Sequence, residues 1–437
     1  MKNSAEYFHR RASWRGILGI ALLLAVCGNS ARGVAESPPT IIPVWTRSAF
    51  NDEGSPIIGE AATRFNRAQH TYRIELYSSN YKNYADWIHS VAVTGTLPCL
   101  LEIDGPFVAA FAWPGYLKAL DPFISRDMRD DLLPSIIAQG TYAGHLYSLG
   151  QFESGLGLWA NRRYLAAAHV RLPTVTHPWT LAEFEQAMER LARLDGVQYP
   201  LNMAFYTGTS EFYAYAYPPL LQGFGGDLID RSSYRSARGV LDGPRSVAAM
   251  HRLQFWLKKG WTRSVLDRND DFERGKTALA WTGHWKYGDY HKALGKDLIL
   301  LPLPDFGHGI KTGMGSWSWG ISSTCPDPAG AWAFLAYLMS TREILRMTNT
   351  NGALPARKSA IAMSRVYGSG GPLEVFAQQL AIGAGVPRPA TPAYGTISKA
   401  FSEAVATIIA GGDVQTALSR AAAAIDQDID DGRGYPQ

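Results

Sequence analysis

From Pro38 onward the chain alternates two kinds of segment, and that alternation restricts its fold more than any other feature. "TIIPVW" is a short apolar run that stops at a polar loop. "IIGEAATRFNRAQ" then places Ile57, Ile58, Ala61, Ala62 and Phe65 at helical spacing. "YRIELYS" alternates as a strand does, "YADWIHSVAVTG" returns to helix, and "CLLEI" is strand again. This β-α-β-α-β order predicts an α/β region built on a largely parallel sheet covered by helices. In such sheets ligands bind beyond the strands' carboxyl ends, which puts the "WTRSAFN" loop and Asp104 at one mouth. A second α/β region follows. "SGLGLWANRRYLAAA" leads into "TLAEFEQAMERLARLDG", where Thr180 and Glu183 have the spacing of a capping box. Further on, "PRSVAAMHRLQFWLKKG", "PAGAWAFLAYLMS" and "ISKAFSEAVATIIAGG" predict helices, whereas "DLILLPLPDF" and "GSWSWGISS" predict strands. A chain of 437 residues, 46% apolar, suits two or more such lobes. It contains no internal repeat.

The first stretch stands outside this pattern. Lys2, Arg10, Arg11 and Arg15 precede the apolar run "ILGIALLLAV", and Gly33 and Ala35 supply the small residues a signal peptidase needs for cleavage after Ala35. The run is about half of the roughly 20 residues that span a bilayer. Residues 1–35 therefore read as an export signal. Cys27 after "LLLAV" resembles a lipid-attachment box, but Val26 stands where a small residue is expected. The twin arginine of "HRRASW" sits in an incomplete context. The signal also carries the charge: it holds five of the 42 Lys and Arg and one of the 38 Asp and Glu, leaving 37 of each. A neutral mature chain with no long like-charge run removes the first support for nucleic-acid binding, which rests on phosphate neutralisation by a basic surface. It retains two cysteines, Cys99 and Cys325, which could pair in an oxidising compartment but form no disulfide scaffold.

No G-x-S-x-G, H-E-x-x-H or P-loop is present. "GLGLWA" at Gly155–Ala160 matches a dinucleotide fingerprint without its context. The ten histidines are scattered, and neither metal nor cofactor is expected. Glu102, Asp104, Asp270, Asp271 and Glu273 could supply a glycosidase pair. The plainer reading gives Asp104 a ligand hydroxyl and the others solvated faces. The aromatic inventory says more: 13 Trp, 21 Tyr and 17 Phe. Trp256 and Trp332 lie on amphipathic helices and read as core. Trp45, Trp281, Trp285, Trp317 and Tyr394 lie in or beside Gly-, Ser- or Pro-rich segments that read as loops. In "RGKTALAWTGHWKYGDY" Trp281 and Trp285 flank what looks like a turn. Flat apolar faces beside hydrogen-bonding groups suit a pyranose, with its apolar face and equatorial hydroxyls.

These stretches, in this order, resemble the extracellular solute-binding proteins of ABC importers of the maltose-binding type. "WTGHWKYGDY" is similar to the family's N-G-P-W loop, and "TGTLPCLLEID" to its G-x-x-P-D-V strand, with Cys99 in place of the aspartate. "YSLGQFESGLGLWANRRYL" resembles its first crossover and "NGALPARKS" its hinge. "RPATPAYGTISKAFSEAVATIIAGG" resembles its C-terminal helices. The resemblance covers essentially the whole mature chain. It implies an α/β, two-lobed periplasmic solute-binding fold (type II-like) with three hinge crossings and a ligand cleft between lobes that close by hinge bending. One lobe would comprise residues 38–150 and 305–350, the other 151–304 and 351–437. Trp45, Ser48, Asp104, Ser316 and Trp317 would line the first lobe's rim, with Glu153 and Ser154 near the crossover. Trp281 and Trp285 would face them, joined by Tyr213, Arg357 and Arg388. Cys99 and Cys325 would lie at the ends of neighbouring antiparallel strands, where they could form a disulfide.

The implied protein is a periplasmic monomer and not an enzyme. It would bind a mono- or oligosaccharide and deliver it to the importer's transmembrane permease subunits. Two alternatives stay open. A glycerol-3-phosphate or polyol binder would want converging arginines, for which Arg357 and Arg388 are available. A secreted carbohydrate-active enzyme would need two carboxylates at fixed separation, such as Asp104 and Glu153.

Overall fold

The computed structural model describes residues 38–47, 54–79, 84–205, 210–264 and 270–436. Residues 1–35, which the sequence reads as an export signal and which include Cys27, lie outside the described residues, as does Ser48. Strand β1 (Thr40–Arg47), helix α1 (Gly54–Ala68), β2 (Tyr72–Ser79), α2 (Tyr84–Val93) and β3 (Leu100–Asp104) follow the expected alternation. β1 pairs in parallel with β2 over its whole length, from Thr40 opposite Tyr72 to Arg47 opposite Ser79. β3 joins the other edge of β1, also in parallel. Every residue of β3 is buried, as a central strand with helices on both faces requires.

The chain then runs through β4 (Ser148–Leu149) and crosses into a second sheet made of β5 (Leu156–Asn161), β6 (Leu201–Asn202), β7 (Leu279–Gly283) and β8 (Leu298–Leu301), in the order β8-β5-β7-β6. It returns past β9 (Thr312–Met314) to β10 (Trp317–Ile321), which completes the first sheet in the order β2-β1-β3-β10-β4. A third passage, beyond helix α3 (Thr341–Asn351), leads to β11 (Gly385–Pro387), the partner of β9, and to helices α4 (Tyr394–Ile409) and α5 (Val414–Asp431). Ala353, Ala356 and Ala360 still pack in the core under the first sheet. Tyr367, Leu373 and Phe376 already pack against Trp159 of the second. The helix at Leu181–Leu191 begins with the full capping box, Thr180 and Glu183 each satisfying the other's backbone N–H.

β10 runs antiparallel to β3, with Ile321 opposite Leu100 and Trp317 opposite Asp104. This register brings Cys99, one residue before β3, alongside the segment just after β10. Cys99 and Cys325 are joined there in a disulfide with a Cα separation of 4.4 Å, and both are buried. Ser322 donates its N–H to the Cys99 carbonyl, anchoring the same junction. The disulfide closes a loop of 226 residues, but it lies wholly within the first sheet's core.

Candidate functional site

β1 and β3 end, and antiparallel β10 begins, at the same rim of the first sheet, and the side chains there form one wall. The Trp45 ring stacks on Trp87 with centroids 4.7 Å apart, and Tyr77 lies 6.0 Å from Trp45. Trp87 leads to Tyr84 at 5.8 Å, and Tyr84 to Trp317 at 6.0 Å. The Arg47 guanidinium covers the Trp317 ring at 4.1 Å, a cation–π contact. Glu102 steadies the strand end at Arg47: its carboxylate accepts the Arg47 backbone N–H at 3.1 Å and the Thr46 hydroxyl at 2.6 Å, and lies 3.8 Å from the Arg47 Nε. The sequence points to Trp45 and Trp317 here. It does not single out Tyr84, Trp87 or Arg47, although Arg47 stands only two residues past Trp45 on the same strand end.

Asp104, at the end of β3, receives Arg388 in a two-pronged ion pair: Nη2 donates to Oδ1 at 2.6 Å and Nη1 to Oδ2 at 2.9 Å. The same Nη1 donates to Glu211 at 2.7 Å. Tyr394 and Ser398, on successive turns of α4, also donate their hydroxyls to Glu211. Arg388 lies 5.1 Å over the Tyr215 ring. Burial pushes the Glu211 carboxyl above its ordinary range. Arg388 opposes that shift and the Asp104 charge reinforces it. One edge of Glu211 stays open, with about a third of its side chain exposed (33%), whereas Arg388 is 7% exposed. Two carboxylates thus share one guanidinium, and the cluster carries no spare positive charge. A lone carboxylate in a helix's first turn reads as a partner of the helix dipole, so nothing in "SEFYAYAY" marks Glu211.

Trp285 forms the facing wall. The residue is 40% exposed, and its ring lies 5.9 Å from that of Tyr215, which Arg388 also overlies. It lies directly over Gly283: a Cβ at that position would come within 2.0 Å of the indole. Trp285, Tyr215, Arg388, Asp104 and Trp317 thus form one continuous contact surface, in which Trp285 is exposed, Trp317 half-buried and the side chains of Tyr215, Arg388 and Asp104 buried.

Six expectations need correction. Trp281 is not in a turn but in β7, between β5 and β6, where it is 1% exposed and donates its indole N–H to the Ala216 carbonyl at 3.0 Å. Tyr213 is fully buried against Tyr217 in the same core. Glu153 has no exposed surface. Its Oε1 accepts the backbone N–H of Ser154 at 3.0 Å and of Gly315 at 2.8 Å, and its Oε2 accepts from Gln139 at 2.7 Å. It therefore ties the first passage between the sheets to the second. Burial raises its pKa, against the pull of hydrogen bonds from Ser135, Gly315, Ser154 and Gln139. Arg357 is turned to Asp131, Nε to Oδ2 at 3.2 Å, apart from this surface. Ser316 is buried too, its hydroxyl donated to the Phe152 carbonyl. Ser154 is buried with its hydroxyl on His284 Nε2 at 3.2 Å. Among the described residues, no three His, Cys, Asp or Glu side chains converge as a metal ion would require.

The family model described as bacterial extracellular solute-binding protein matches residues 60–367. An uncharacterized lipoprotein encoded in the oleD 5' region of Streptomyces antibioticus is 22% identical over 354 residues, 78% of this chain and 75% of the relative. Among solved structures, the GacH receptor of Streptomyces glaucescens, determined unliganded and with acarbose, superposes with a TM-score of 0.74 at 20% identity over 90% of this chain and 98% of that one. The cyclic alpha-maltosyl-1,6-maltose binding protein of Arthrobacter globiformis superposes at 0.75 with 21% identity, covering 90% of this chain and all of the other. These structural likenesses establish a shared two-lobed fold.

Proposed function

Because the chain belongs to the bacterial extracellular solute-binding proteins, a family that binds its solute and does not transform it, we propose that it captures a sugar between the two aromatic walls. The sugar, of one ring or several, is then handed to the membrane permease of an ABC importer. The observation that carries this reading is the continuous surface from Trp285 through Tyr215 and Arg388 to Asp104 and Trp317. Indole faces suit the apolar face of a pyranose, and the Glu211 edge accepts hydroxyl donors. Charge-assisted bonds of this kind contribute about 1.5–3 kcal/mol each. The two folds compared above belong to proteins whose names or ligands are sugars, which supports the same cargo class. A phosphate ester fits less well, since Arg388 is already matched by two carboxylates and Arg47 lies against Glu102. Turnover is disfavoured because Glu153, one of the two carboxylates an enzyme would need, is sealed inside the protein.

The test is intrinsic tryptophan fluorescence of the mature chain, titrated with mono- and disaccharides, longer oligosaccharides, polyols and glycerol-3-phosphate. We expect a saturable response to a neutral sugar, with the sugar recovered intact. A response confined to the phosphate ester, or product in the cuvette, would replace this reading with one of its alternatives.

A further inference from the structure

His284 follows β7 directly and precedes Trp285, yet it faces inward and is buried. Its Nδ1 lies 3.0 Å from the Asn351 carbonyl, which can only accept, so Nδ1 carries the proton. In the neutral ring Nε2 is then the acceptor for the Ser154 hydroxyl at 3.2 Å. Ser154 belongs to the first passage between the sheets, and Asn351 ends α3 at the start of the third. The imidazole packs edge-on against Trp285 at 5.3 Å and against Phe152 of the first passage at 5.8 Å. The backbone is fitted just as closely. Gly352 adopts φ +66°, and a Cβ there would stand 3.0 Å from the His284 carbonyl oxygen. One side chain therefore touches the exposed indole of one wall and is bonded to two of the segments about which the two sheets would move.

We propose that His284 is the positioning residue for Trp285, and that it couples the seating of a ligand on that indole to the passages between the sheets. The tautomer set by Asn351 makes Nε2 the acceptor for the Ser154 hydroxyl, so ring orientation is defined from both sides. The indole lies on Gly283 and is bounded by Tyr215 and His284, so loss of the imidazole removes one of three supports. The coupling half of this inference rests on the sugar-binding reading; the positioning half does not.

The test uses the full mature chain labelled with 5-fluorotryptophan, with the Trp285 fluorine resonance assigned by its disappearance in Trp285→Phe. In His284→Leu the ligand-free Trp285 resonance should shift and broaden, while that of Trp281, buried in β7, stays in place. His284→Asn, which keeps a donor where Nδ1 stands, should restore much of the wild-type line. Ser154→Ala leaves Asn351 bonded and should give a smaller change of the same kind, which keeps the test usable if His284→Leu folds poorly. With a sugar identified, His284→Leu should bind about tenfold more weakly and show less compaction by small-angle scattering at saturation. An unmoved Trp285 resonance in both His284→Leu and Ser154→Ala overturns the proposal, whatever the affinity does. A shifted resonance in a chain that binds no sugar leaves the positioning role standing and removes the proposed cargo and the coupling together.

Discussion

The two walls of the surface are built on opposite plans. On the first-sheet side, Trp45, Trp87, Tyr84 and Trp317 lean on one another in a chain of ring contacts, and Arg47 caps the last of them. On the second-sheet side a single exposed indole, Trp285, rests on a glycine and is held by Tyr215 and a buried histidine. The difference teaches how each wall should respond to damage. A ladder of rings loses one contact when one ring is removed, and the neighbours retain theirs. A lone ring takes its whole surface with it.

The largest expected effect breaks the comparison at Trp281, the tryptophan that shares a segment with Trp285 but sits in the core. Trp281→Ala should lower stability by about 3–5 kcal/mol in a denaturant titration, whereas Trp285→Ala should leave the transition nearly where it is. Equal losses would mean that the two residues are not divided between core and wall. Next comes the disulfide, which belongs to the first sheet alone. Replacing Cys99 and Cys325 together by serine should cost roughly 2–5 kcal/mol, and hydrogen exchange should rise in β3 and β10 with β5 and β7 unaffected. Third is binding itself: Trp285→Ala should weaken sugar affinity about ten- to a hundredfold, about 1.4–2.7 kcal/mol, read by calorimetry. Trp45→Ala should cost only about three- to tenfold, since ring pairs contribute about 0.5–1.5 kcal/mol. A reversal of that order would place the main anchor on the first wall.

The smallest effect is in pH, and its sign separates an acid of the first core from the acid between the sheets. Burial pushes Glu343 upward, but the Arg64 and Tyr337 hydrogen bonds and the charges of Arg64 and Arg346 outweigh it and hold the carboxyl below its ordinary range. Its stabilisation is complete above the unfolded value of about 4.3 and is lost as pH falls through the lowered one. Glu153, raised by burial, runs the other way: its contribution is fullest below about 4.3 and is lost as pH rises through the raised value. Glu343→Gln should therefore flatten the acid limb of a melting-temperature profile. Glu153→Gln should flatten the slope above the ordinary carboxylate range, each by roughly 2–4 °C. The same slope in both variants would contradict the assignment.

Local chemistry by itself determined a good deal of this protein. Period-two and period-3.6 patterns locate β1, α1, β2, α2 and β3 in order, and Thr180 and Glu183 announce their helix, because those signals act between residues a few positions apart. Asp104 was legible as a rim residue because strand ends in such sheets face ligands, and Trp285 because an indole among glycines has no helix face to bury. The rest was decided by distant pairing. Trp281 and Trp285 have the same side chain four residues apart, and only the insertion of β7 between β5 and β6 sends one inward. Glu153 looks like a ligand residue until Gly315, 162 positions away, supplies an N–H to it. Glu211 acquires a role only when Arg388, 177 positions on, is brought between it and Asp104. Spacing reports which face of its own element a side chain occupies, whereas burial and hydrogen-bond partners depend on what packs against that face, and those atoms come from elsewhere in the chain.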